Sequence, residues 1–105
     1  MASINSARAK WAPELKETMT GSSILIGILL HTPVHIIFDN LGEVEVELSL
    51  DGVVVKTFAA GEAIVLDMRA AHGFAEDFTF QKGSSFYGNG ASGDFSISYT
   101  YAMEL

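Results

Sequence analysis

Residues 43–50 read Glu-Val-Glu-Val-Glu-Leu-Ser-Leu, and Asp51-Gly52 follows at once. Strict alternation turns the apolar side chains to one face of an extended chain and the polar ones to the other, so the segment is a half-buried strand with an acidic outer face. A helix would scatter the same residues around its axis. The Asp-Gly pair is a strong hairpin signal, because a two-residue primed turn demands positive φ at both central positions. Closing it pairs Leu50 with Val53. That register predicts Leu48 opposite Val55, Val46 opposite Thr57 and, on the wet face, Glu47 opposite Lys56.

The same period recurs elsewhere. Phe95, Ile97, Tyr99 and Tyr101 alternate with Asp94, Ser96, Ser98 and Thr100, and Ile64 and Leu66 share a face within Ala63–Met68. Val34–Phe38 is a strand led in by Thr32-Pro33 and closed by the turn formers Asp39-Asn40. Phe78–Phe80 and Ser84–Tyr87 are shorter runs flanking a Lys82-Gly83 turn, Ala60-Gly61-Glu62 is another turn, and residues 69–77 are a loop or a single helical turn. The run Ile24–Leu30 is a buried strand, since seven apolar residues are far short of the roughly 20 that cross a bilayer as a helix. No segment after Gly21 keeps helical periodicity over ten residues. The expectation is an all-β fold, an antiparallel β-sandwich of about eight short strands, jelly-roll-like or immunoglobulin-like.

Residues 1–18 show no sustained period, and Pro13 limits any helix to a short turn. They read as an irregular N-terminal arm ahead of a sandwich domain at 19–105. Trp11 and Leu15 are its apolar anchors and Arg8 part of its basic character, which makes Arg8, Trp11 and Leu15 the candidate assembly residues. Residues 1–16 carry a balance of +2 and residues 17–105 one of −9. An acidic body repels phosphate backbones, so nucleic acid is not an expected partner. The 105 residues make one domain, with no Cys for disulfides, zinc knuckles or thiol nucleophiles. No charged-then-apolar segment ending in a cleavage site is found near the N-terminus, and a cytoplasmic origin is compatible.

Gly88, Gly90 and Gly93 spell G-x-G-x-x-G, the spacing that seats a pyrophosphate at a helix N-terminus. A strand pattern follows them, and Asp94 would set a negative charge beside the phosphates. They read instead as a hairpin loop using positive φ. His31 and His35 straddle Pro33 in strand-like surroundings, where four residues separate side chains by about 13 Å, so with His72 they are not read as a metal site. Asp39, Asp51, Asp67, Asp77 and Asp94 mostly adjoin turns; Asp67 and Arg69 share a strand face and can pair. No serine sits in a G-x-S-x-G elbow. No catalytic residue, cofactor or metal is expected. The aromatics Phe74, Phe78, Phe80, Phe86, Tyr87 and Tyr99 are chiefly core, with a sugar platform as the alternative.

The succession "TGSSILIG", "TPVHIIFDN", "VELSLDG", "AAGEAIVLDMR", "FTFQKGSSFYGNG" and "GDFSISYTYA" resembles a group of small all-β virion proteins of tailed bacteriophages. The resemblance spans about residues 19–102 and leaves out the arm. It implies a non-enzymatic building block present in many copies, a decoration or cement protein of the head or a connector or tail accessory. Its partners would be copies of itself and other virion proteins, with no membrane involved, and its place the virion, assembled in the host cytoplasm. It carries over no site residues. The alternative is a carbohydrate-binding β-sandwich module whose loops near Gly73–Asp77 and Gly88–Gly93 meet a glycan.

Overall fold

A computed structural model describes residues 8–67 and 80–103, and the regular elements among them are all strands. They are β1 (Arg8–Trp11), β2 (Leu15–Thr18), β3 (Ile24–Ile28), β4 (Pro33–Asn40), β5 (Val46–Leu50), β6 (Val53–Phe58), β7 (Ala63–Asp67), β8 (Ser85–Asn89) and β9 (Asp94–Met103). The hairpin turn forms as its sequence demands: Asp51 has φ 50° and Gly52 φ 89°, with Leu50 opposite Val53. This turn is the tip of a doubled ribbon. Moving outward from it, β5 pairs with β6, β4 with β7, β3 with β8, and β2 and β1 with β9, all antiparallel.

The ribbon wraps on itself into two sheets. One has the order β1-β9-β4-β7, with β2 also on β9, and the other β3-β8-β5-β6. Counting β1 and β2 as one interrupted edge, this is the eight-stranded double Greek key of a jelly roll. An immunoglobulin sandwich would instead place its first two strands side by side in one sheet.

Both sheets contribute aromatic rings to the core. Phe38 and Phe95 face Phe58 and Phe86; the Phe38 ring stands edge-on to Phe86 at 5.5 Å between centroids, and Phe58 edge-on to Phe95 at 5.1 Å. These are the offset and tilted arrangements that ring quadrupoles favour. Tyr99 is fully buried, and its hydroxyl accepts a hydrogen bond from Leu30 N–H at 3.0 Å, tying β9 to the chain beyond β3.

Four local expectations are corrected. The arm is strand from Arg8 onward: Trp11 lies opposite Thr100 and Leu15 opposite Ile97, so four steps along the edge match three along β9. The extra residue accommodates Pro13, which has no N–H for the ladder, while Ala12 N–H still donates to Tyr99 O at 2.9 Å. The β5–β6 register slips by one between Leu48 and Ser49, leaving Leu48 opposite Lys56 and Glu47 opposite Thr57. This bulge turns Phe58 rather than Thr57 into the core and sends Lys56 to Glu62, 3.4 Å away, instead of Glu47. Third, β5 begins at Val46, because residues 42–44 bend to meet Asn40.

Finally, Asn40 closes no exposed turn. It is fully buried at the end of β4, its Nδ2 donating to Val44 O at 2.9 Å and Ala59 O at 3.0 Å while its Oδ1 accepts from Gly42 N–H at 3.1 Å. One side chain thereby satisfies three backbone groups from two turns. Phe80 is buried, whereas the expected strand start at Phe78, the loop at 69–77 and residues 1–7 lie outside the described residues.

Candidate functional site

The sandwich is open at both flanks, because neither sheet closes into a barrel. At one flank lie the edges β1/β2 and β3, which approach each other where Leu15 covers Gly27; a Cβ on Gly27 would stand 2.7 Å from Leu15 Cδ2. At the other lie β6 and β7. The run Ile24–Leu30 is therefore not a buried strand, as its composition suggests, but an edge paired only with β8. Ile26 and Leu29 point inward and are buried, while Leu25, Ile28 and Leu30 are 43–58% exposed. A bulge between Leu25 and Gly27 sets this division. The opposite flank exposes Val53, Val54 and Val65.

The three residues expected to mediate assembly are distributed differently. Trp11 is 61% exposed at the end of β1 and available to a neighbour. Leu15 packs against the core of its own chain and clamps β2 onto β3. Arg8 sits at the start of β1, opposite Met103. Along the same edge Lys10 and Lys16 are exposed together with Glu14 and Glu17, and Lys16 Nζ lies 3.9 Å from Asp94 Oδ2.

The glycine loop is an arch, not a hairpin, since it leads from β8 in one sheet to β9 in the other. Strand β9 follows it directly, which removes the helix a phosphate would need. Of its glycines only Gly93 has positive φ, at 87°. Gly90 serves close approach, since a Cβ there would lie 2.8 Å from Val46 Cγ2 and 3.0 Å from the Glu45 carbonyl oxygen. The loop carbonyls are engaged by the preceding segment, Gly90 O by Gly21 N–H at 2.7 Å and Gly93 O by Met19 N–H at 2.8 Å.

The titratable side chains stay dispersed. His31 stacks on Tyr101 with ring centroids 3.6 Å apart, His35 Nε2 lies 3.6 Å from Asp67 Oδ2, and Asp94 meets Thr18 and Lys16. Among the described residues no three His, Asp or Glu converge on a metal-sized site. His72, Arg69 and the loop Gly73–Asp77, with Phe74 and Phe78, lie outside the described residues. The Glu62 carboxyl is held below its ordinary range by the Ala59 N–H it accepts, at 2.8 Å, with Lys56 adding to the effect against partial desolvation.

A concave surface occurs on the outer face of the β3-β8-β5-β6 sheet. Tyr87 stands opposite Ser49 on one side and Leu25 on the other, and Ser49 stands opposite Val54, so these four form a row across the sheet. Beside the row opens a depression of about 490 Å³ lined by Ser23, Ser49, Asp51, Gly52, Ser85 and Tyr87. Asp51 Oδ1 accepts both the N–H and the hydroxyl of Ser85, at 2.9 and 3.0 Å, so the hairpin turn and β8 fix the carboxylate. Tyr87 thus belongs to a sheet face and not to the Gly88–Gly93 loop, and Ser49 and Asp51 join it only through strand pairing. The alternation over 43–50 marks Ser49 as outward-facing, but no local signal connects it to a residue 38 positions away.

No protein-family model, curated protein or solved structure matches the chain.

Proposed function

We propose that the protein is a non-enzymatic structural subunit of a tailed-phage virion, a multi-copy decoration or cement protein of the head or an accessory of the connector or tail. Its partners are copies of itself and other virion proteins, and it assembles in the host cytoplasm. The observation that carries this reading is the edge position of the most apolar run of the chain. A β-sandwich that works alone blunts its edges with charge, proline or a covering loop. Here Ile28 and Leu30 project from the flank that also carries exposed Trp11, and Val53 and Val65 from the other. Two different apolar flanks on one subunit favour head-to-tail contacts, which close into rings or extend over a lattice. Exposed Lys10 on the β1 edge complements the acidic outer face of β5, where Glu47 is exposed, and so gives such contacts a direction.

Two measurements test this. Light scattering behind size exclusion is expected to show a discrete oligomer for the full chain and a monomer for Ile28→Lys combined with Leu30→Lys, both exposed positions where the fold tolerates charge. Mass spectrometry of purified tailed-phage particles encoding the chain is expected to find it at many copies per particle. A monomeric full chain that is absent from particles would refute the proposal.

A further inference from the structure

The depression beside Tyr87 lies on the outer face of the β3-β8-β5-β6 sheet, away from the core and from Ile28, Leu30, Val53 and Val65. We propose that it binds a neutral saccharide, with the Tyr87 ring as platform and the Asp51 carboxylate and the Ser23 and Ser49 hydroxyls as polar partners. The chemistry of the lining supports this whether or not the chain assembles with copies of itself.

The lining holds one phenol ring, three serine hydroxyls, one carboxylate and a glycine. It contains no basic side chain, and the molecule carries a net charge of −7, so phosphorylated, sulfated or sialylated ligands are disfavoured. Nor does it contain an aliphatic socket for a peptide anchor. A pyranose ring matches this set: its C–H face packs on an aromatic ring, and its vicinal hydroxyls donate to a carboxylate and exchange hydrogen bonds with serines. A volume of about 490 Å³ lies within the range of small-ligand sites. The exposed Leu25 and Val54 at either end of the Tyr87–Ser49 row extend the platform beyond one sugar unit.

Preorganisation is visible at two of the groups. Asp51 is locked at φ 50° in the turn, and its Oδ1 is occupied by Ser85, while Oδ2 and the Tyr87 hydroxyl have no hydrogen-bond partner among the described residues. Tyr87 is half-buried in the middle of β8, flanked by a strand on each side, so its ring has little freedom to lose on binding. The depression is open, which suits a terminal sugar or one face of a chain rather than an engulfed small molecule.

The test is an array of hexose-, N-acetylhexosamine- and sialic-acid-terminated glycans probed with labelled full chain, followed by titration of the retained sugars. Neutral termini are expected to retain the protein and sialylated ones not. Tyr87→Ala should abolish retention and Tyr87→Phe preserve most of it. Asp51→Asn keeps the turn, since Asn also accepts positive φ, and should weaken binding about tenfold or more, the loss expected for a charge-assisted hydrogen bond. Unchanged thermal midpoints identify these as losses at the site. Retention that survives Tyr87→Ala, a preference for sialylated termini, or no retention at millimolar protein would each overturn the proposal. Repeating the array with the Ile28→Lys, Leu30→Lys variant separates the two readings, because a monomer with an intact sugar site retains its glycan selectivity.

Discussion

Replacing Asn40 with Ala removes the side chain that holds one end of the sandwich together. Three short hydrogen bonds are lost, to Val44 O, Ala59 O and Gly42 N–H, at a position with no solvent exposure. Leaving a buried polar group unsatisfied costs about 1–3 kcal/mol. The backbone partners here are only partly buried, so water can reach some of them and the lower end of that range applies. Three such groups then sum to about 3–4 kcal/mol, a large share of the 5–15 kcal/mol by which domains are typically stable. For a chain of this size the melting temperature is expected to fall by about 15–25 °C, measured by calorimetry or near-ultraviolet circular dichroism. Asn40→Asp supplies an internal control. It keeps the volume and the acceptor for Gly42, but turns a carboxyl oxygen toward two carbonyls in a buried place. Its folded-state pKa is raised above the unfolded value of about 3.9, so this variant loses stability as pH rises from about 4 toward that raised value, whereas Asn40→Ala shows no such slope. A fall of less than about 4 °C for Asn40→Ala, or an Asn40→Asp variant as stable at pH 7 as at pH 4, would refute the role assigned to this amide.

The two turn glycines Gly93 and Gly52 separate strain from crowding. Gly93→Ala meets both, since φ is 87° and the new Cβ would stand 2.7 Å from Gly42 Cα, a backbone atom that cannot move aside; Gly52→Ala has φ 89° but nothing within 4 Å. Urea unfolding is expected to show a loss of about 1 kcal/mol for Gly52→Ala and at least twice that for Gly93→Ala. Glu62→Gln tests the acid limb of stability. The wild-type carboxylate has a lowered folded-state pKa, so its contribution is present above the ordinary carboxyl range and lost as pH falls through the folded-state value, and the variant is expected to show a shallower decline there.

Much of the sandwich was legible because its signals are local. The Asp51-Gly52 turn is specified by two adjacent residues, and β9 announces itself through alternation from Phe95 to Tyr101. What escaped depends on contacts distant in sequence. The Val55 bulge cannot be inferred from the β5 and β6 sequences, whose regular pairing looks equally sound on paper; the core chooses Phe58 over Thr57 only when the opposite sheet is present. Asn40 reads as a turn former because Asn usually is one, and only the convergence of two turns makes a buried amide favourable. The N-terminal strands lack period because each is four residues long and Pro13 divides them. Ile24–Leu30 is apolar throughout, so composition gives no hint that one of its sides faces out; Gly27 was the single clue.

The doubled ribbon carries a kinetic corollary. Its tip closes with a two-residue loop, whereas Arg8 meets Met103 across nearly the whole described chain. Loop-closure entropy therefore favours zipping from Asp51-Gly52 outward, and the seam between β1/β2 and β9 is stitched last. Until then each chain holds an unclaimed ten-residue groove along β9. A neighbour's leading segment fits that groove as well as its own does, so crowded synthesis favours exchange of these segments, and molecules linked in this way would come apart only by partial unfolding.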